Sequence, residues 1–193
     1  MHFWKHFVTI TKHRWLVRKG CFAVGLYWQG LTHDLSKYSL TEFIPGAKYY
    51  QGFRSPNNKQ RELYDYSSAW LHHKGRNRHH YEYWTDYGLS RGVSGESIIV
   101  GKEMPIRFVV EMVMDRIAAS KTYMGAEYDD TQPLKYYEKG TGRMGETIHP
   151  NTQKILHQLL ELLAMYGEEK TFQYIKQEVI PEAKKNGTYN VKV

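Results

Sequence analysis

The sequence predicts an all-α protein, a single helical domain spanning residues 1–193, and three observations carry that prediction. Apolar residues recur at three- and four-residue steps near the N-terminus and again after Pro105, which is the repeat of a helix with one buried face. Of two C-terminal stretches with charged outer faces, as packing helices have, the first carries the leucine-rich run from Ile155 to Leu163. A chain of 193 residues is long enough to bury one substantial core without disulfides or a structural metal.

Taken in order, a first helix is expected over about residues 3 to 18, where Phe3, His6, Phe7, Ile10, His13 and Val17 share a face and point His13 inward. After Lys19-Gly20, a second apolar helix from about Cys21 to Leu31 delivers Thr32-His33-Asp34 at its end. A short helix from Leu40 to Tyr50 precedes a loop marked by Ser55-Pro56-Asn57-Asn58. A fourth helix from about Lys59 carries His72 and His73 in its last turn, with Gly75 placed to end it. Residues 76 to 84 are too polar and aromatic for core, and Gly88 to Gly101 read as a glycine-containing loop, a candidate flap. From Pro105 through Met124 runs the strongest helix, with Glu111 and Asp115 on a common face. Packing helices over roughly 151–166 and 168–185 complete the C-terminal part, residues 150–185.

Composition narrows the partners. Cys21 is the only cysteine, so no internal disulfide forms, and its apolar surroundings read as a buried thiol in a reducing cytoplasm. The N-terminal hydrophobes are interrupted every few residues by His, Lys or Thr, which offers neither a signal-peptide core nor a spanning segment; a soluble protein without a membrane partner is expected. A net charge of +7 favours anionic partners, satisfied equally by phosphorylated small molecules and by nucleic acid. Ten histidines stand out, because imidazole is the commonest protein metal ligand and is costly to bury without a partner.

The positions of these histidines point to a metal site. His13 inside one helix, His33-Asp34 at the end of another, His72 and His73 after a third and Asp115 within an apolar fourth are imidazoles and carboxylates that four elements could bring together. That donor set suits a borderline or hard divalent ion: Mn, Fe, Co, Ni, Zn or Mg, one or two per chain. Asp34 as a bridging carboxylate could hold two ions about 3.5 to 4 Å apart, lowering the pKa of a shared water from 15.7 toward roughly 7. Adjacent His72 and His73 diverge by about 100° on a helix, so one can be a ligand while the other faces outward. Glu111, one turn before Asp115, is expected to orient a histidine N–H. Around the site, Arg76, Arg78 and Lys121 are candidates for substrate phosphate, with His79 and His80 contacting substrate or a second metal. Tyr81, Tyr83, Trp84 and Tyr123 are candidate stacking or phosphate contacts.

The order His, His-Asp, His-His, Asp resembles that of the HD-domain metal-dependent phosphohydrolases over roughly residues 10 to 130. The closest likeness is to the HD-GYP branch, carried by His33-Asp-Leu-Ser-Lys37, His72-His-Lys74 and Asp115-Arg-Ile-Ala-Ala119. The resemblance implies a helical bundle of the HD-domain type, metal ligands at His13, His33, Asp34, His72 or His73, and Asp115, and Lys37 beside the metals holding substrate phosphate. Ser36 and Lys74 stand where that branch has Gly and Glu, and no Gly-Tyr-Pro follows the histidine pair, so specificity for cyclic dinucleotides is not implied. The stretches Gly-Leu-x-x-Gln-Gly-Leu-Thr-His-Asp-Leu-Ser-Lys-Tyr and Trp-Leu-His-His-Lys-Gly-Arg-Asn-x-His-His also resemble a bacterial and phage family of unknown function.

The expected activity is hydrolysis of a nucleotide or related phosphoester by metal-activated water, with Asp34 and Lys37 at the centre of the chemistry. Two other classes use the same residues. A non-catalytic nucleotide- or nucleic-acid-binding protein would use Arg14, Arg18, Lys74, Arg76 and Arg78 for phosphate. A dinuclear-iron oxygenase would use the same ligands on oxygen.

Overall fold

A computed structural model of the chain describes residues 1–91, 97–144 and 147–190. It is mostly helical, as the periodicity requires. Helices α1 (Phe3–Ala23), α2 (Tyr27–Thr32), α3 (Leu40–Lys48), α4 (Pro56–Tyr64) and α5 (Ser68–Lys74) come first. A hairpin of β1 (Thr85–Arg91) and β2 (Ser97–Gly101) follows, then α6 (Ile106–Met124), α7 (Gln132–Met144), α8 (Pro150–Tyr174) and α9 (Ile180–Lys185). By internal contacts the chain divides into two compact units, residues 1–77 with 114–128 and residues 78–113 with 129–193.

In the first unit α1 packs on α2 and α3, and α3 on α4 and α5. Buried Ile10, Val17, Cys21, Val24, Ala47, Ala69, Met114 and Ile117 form its core. Two expectations are corrected here. The first helix does not stop at Lys19-Gly20 but runs to Ala23, and the second is only Tyr27–Thr32. Gly20 remains helical and buried because its bare Cα is where Met114 packs; a Cβ there would stand 2.7 Å from the Met114 sulfur. The expected fourth helix is two. Ser55 caps α4, accepting from the Asn57 N–H with Pro56 in the first turn, and Asp65 at φ 64° ends it. Ser67 then caps α5 by accepting from the Trp70 N–H, and Gly75 follows Lys74 as expected.

In the second unit the stretch expected as a loop over Gly88 to Gly101 is largely the antiparallel hairpin; residues 92–96 lie outside the described residues. Thr85 pairs with Gly101, Asp86 with Val100 and Tyr87 with Ile99, and the register shifts between Tyr87 and Arg91. The run Ser97-Ile-Ile-Val100 is the β-branched signal that glycine and serine content obscured. Helix α7, not anticipated, packs on α8 with Tyr137 buried. Leu156, Leu159, Leu160 and Leu163 of α8 are buried with Val109, Val110 and Met112 of α6. The expected break between the C-terminal helices is present as a kink in α8: Gly167 has φ 77° and ψ 175°, a conformation essentially reserved for glycine.

Candidate metal centre

Each donor of the first unit is fixed by its element. His13 lies on the buried face of α1 with His6, Ile10 and Val17. His33 ends α2, and its carbonyl accepts a 2.7 Å hydrogen bond from Arg14 Nε, which ties the His-Asp turn to α1. Asp34 follows at φ 53°, a left-handed conformation that aspartate tolerates better than most residues and that turns its carboxylate inward, where it is wholly buried. Asp115 comes from the part of α6 in this unit.

The side chains converge. His13 Nε2 is 2.9 Å from Asp115 Oδ1 and 3.7 Å from Asp34 Oδ2. His33 Nε2 is 3.3 Å from Asp34 Oδ2 and 3.6 Å from Asp115 Oδ1. One ligand atom from each of the four residues lies within 4.8 Å of all the others, and the group could hold a metal ion. Ligands bound at 2.0–2.1 Å in tetrahedral or octahedral arrangement stand about 3.0 to 3.4 Å from one another, and the measured separations bracket that spacing. Two imidazole nitrogens and two carboxylates are also the chemistry such an ion takes. The residues present therefore fit the group they were expected to hold.

Lys37 sits beside this cluster, its Nζ 2.5 Å from Asp34 Oδ2 and its side chain partly exposed. Burial works against the ammonium charge, but the Asp34 and Asp115 carboxylates outweigh it and hold Lys37 above its ordinary pKa. Burial likewise works to raise the Asp34 carboxyl; the charges of His33, Lys37 and His73 and the hydrogen bond with His13 carry it well below the usual carboxylate range. Asp34 thus remains ionised.

The His72-His73 pair divides. His73 is buried and its Nε2 stands 3.3 Å from Asp34 Oδ1, on the carboxylate oxygen other than the one that faces His13 and His33. His72 does not reach the cluster; its Nδ1 is 2.7 Å from Glu42 Oε1. Glu42, buried in the first turn of α3, was not anticipated: its other oxygen is 2.7 Å from His73 Nδ1. With Glu42 accepting at Nδ1, His73 presents Nε2 toward Asp34. Burial works to raise the Glu42 carboxyl, and the hydrogen bonds from His73, His72 and Ser36 bring it below its ordinary value. Asn77 closes this side, its amide donating 2.8 Å hydrogen bonds to Ser36 Oγ and the His73 carbonyl.

In the second unit His79 is buried rather than part of a solvated basic loop, and its Nδ1 is 3.2 Å from Glu111 Oε1. Glu111 thereby faces a histidine of the second unit. His80 lies against His79 with its ring tilted by 48° and the ring centres 4.1 Å apart. Arg76 and Arg78 are exposed, and the Arg78 guanidinium lies over the Tyr83 ring. The Trp84 indole donates to the Arg78 carbonyl at 2.7 Å, which holds the turn. In the first unit the Lys121 ammonium lies over Tyr128.

Fold and donor set together define a mostly helical protein with a buried histidine–carboxylate cluster capable of holding a metal ion. The chain belongs to the family of unknown function DUF5662, whose model matches residues 2–162 and so includes every residue of the cluster. No curated protein and no solved structure matches the chain. The HD-domain likeness rests on the motif order alone.

Proposed function

We propose that this protein is a metal-dependent phosphohydrolase of HD-domain type, acting on a nucleotide or related phosphoester. The observation that supports it most is the convergence of His13, His33, Asp34 and Asp115 within 4.8 Å, with the charged Lys37 beside them. In this reading those four residues hold a divalent ion, and Asp34, with one oxygen toward His13 and His33 and the other toward His73, is the carboxylate that could serve a second. A bound ion supplies water at neutral pH with a pKa brought down toward about 7. Lys37, charged and partly exposed, holds a non-bridging phosphate oxygen and neutralises the charge that develops there. The water oxygen forms the new bond to phosphorus, the ester P–O bond breaks, and the leaving oxygen departs as the alcohol after taking up a proton. Glu42 keeps His73 oriented and takes no part in the bond changes.

A second reading has its own support. The Lys37–Asp34 ion pair already neutralises one carboxylate of the cluster, so a metal-free, anion-binding protein is electrostatically self-consistent. Turnover separates the two. The protein loaded in turn with Mn, Fe, Co, Ni, Zn or Mg is assayed on aryl phosphomonoesters and diesters and on a nucleotide panel. Metal-dependent turnover is expected, with Lys37→Ala lowering kcat/KM by roughly 100- to 1000-fold while metal content is kept. Absence of turnover with every metal, together with salt-sensitive nucleotide binding, would move the assignment to the binding protein. Oxygen uptake by the iron form would move it to oxidation.

A further inference from the structure

The surface of α1 that faces away from the metal cluster is not an ordinary solvated face. One helical stripe carries Trp4, Val8 and Trp15, which are 74%, 46% and 55% exposed. Helix α2, packed on α1, likewise exposes Trp28 and Leu31. Trp4 stacks on Phe7, with ring centres 5.8 Å apart, and Phe7 meets Tyr38 edge-on, so aromatic surface continues around the helix. Apolar side chains exposed singly are normal, but a contiguous patch containing tryptophans marks a contact surface.

Charge identifies the occupant. The first 33 residues contain five basic side chains, Lys5, Lys12, Arg14, Arg18 and Lys19, and no aspartate or glutamate, so they supply five of the net seven positive charges. Lys5, Lys12, Arg18 and Lys19 are exposed and flank the Trp4–Val8–Trp15 stripe on both sides. The Lys19 ammonium lies 4.6 Å from the Trp15 ring centre, at the border between apolar and charged surface. A second copy of the chain would bring five positive charges against five. A nucleic acid would find aliphatic Val8 and Leu31 among the rings, where bases have nothing to stack on. A bilayer with anionic headgroups satisfies both features: tryptophans settle at the headgroup level, aliphatic side chains reach the acyl boundary, and lysines stay with the phosphates.

We infer that the α1–α2 face is a peripheral docking surface for anionic lipid, holding the protein on a bilayer with α1 in the plane of the interface. This inference stands independently of the proposed hydrolase. His13 occupies the opposite, buried side of α1, so substitutions on the outer stripe leave the metal cluster in place.

Co-sedimentation of the full chain with vesicles of phosphatidylcholine alone, and of phosphatidylcholine with one-third phosphatidylglycerol, tests it. Binding is expected only to the anionic vesicles, with a blue shift of tryptophan emission. Each lysine near the surface contributes about five-fold, so Lys5→Gln, Lys12→Gln and Lys19→Gln combined are expected to weaken partitioning roughly 100-fold. Trp4→Ser, Trp15→Ser and Trp28→Ser combined should abolish the blue shift, and unchanged circular dichroism verifies the fold of each variant. Failure to bind anionic vesicles, or binding unaffected by the lysine triple variant, overturns the inference. Binding of a single-stranded oligonucleotide without vesicle binding assigns the face to nucleic acid instead. Dimerisation that the tryptophan variant abolishes, again without vesicle binding, assigns it to a second copy; either result overturns the lipid surface.

Discussion

Glu42 shows what one buried carboxylate does for two histidines. Each of its oxygens accepts from one Nδ1 at 2.7 Å, which fixes the tautomer of His73 and turns Nε2 toward Asp34. Glutamine has one acceptor oxygen and one amide, so Glu42→Gln leaves one imidazole facing an N–H donor. Metal affinity, measured by competition with a chelator, is expected to fall 10- to 100-fold while the helical circular dichroism persists. Unchanged affinity would mean that His73 needs no orientation. Glu42 was not legible in the sequence, because a glutamate in the first turn of a helix is ordinary complementarity to the helix dipole. His13 was legible because its place in the apolar repeat of α1 fixed its direction, and Asp34 because it falls within the order His, His-Asp, His-His, Asp along the chain. The division between His72 and His73 was half legible: the 100° between neighbours said that one must leave the cluster, and only the position of Glu42 decides which.

At the scale of elements, the packing of α3 on α1 sets where Glu42 stands, and it turns on Gly46, one helical turn further along α3. A Cβ at Gly46 would collide with the Nε2 of His6, a buried ring on α1. Burial, and after it the charge of Lys37, pushes the His6 imidazole down to about 4, so it packs as a neutral ring at neutral pH. Gly46→Ala gains about 1 kcal/mol of helix propensity but overpacks the contact, which costs typically 1–3 kcal/mol, so a lower urea midpoint is expected. His6→Ala in the same chain should recover part of the loss. A Gly46→Ala protein as stable as the parent would show that the helices do not meet there. The same His6→Ala variant carries a pH signature. Between about pH 6.5 and 4 the unfolded parent binds a proton that folded His6 refuses, so the parent loses stability as pH falls and the variant loses less. Long periodic elements such as α6 and α8 were legible because each buries a full apolar stripe. The hairpin and α7 were not: residues Gln132–Met144 are largely polar, and among the side chains described there Pro133 and Tyr137 are the buried ones. The split between α4 and α5 depends on Asp65 adopting φ 64°, which no periodicity reports.

For the whole molecule, a surplus of positive charge meets two different uses. Lys37 places its charge beside a buried carboxylate, while the acid-free first 33 residues display four of their five basic side chains, Lys5, Lys12, Arg18 and Lys19, on the surface. The all-helical class was readable from the apolar repeats, since those repeats are what the cores of both units are made of. The chemistry of the donor set was readable as well, since imidazole and carboxylate side chains are costly to bury together unless something binds them. Whether His13, His33, Asp34 and Asp115 form a metal centre is tested most directly by elemental analysis of the purified full chain beside Asp34→Ala. About one or two divalent ions per chain in the parent, and none in a variant with the same helical circular dichroism, are expected. A parent protein that takes up no metal even on reconstitution, or a variant that keeps the parental stoichiometry, would contradict it.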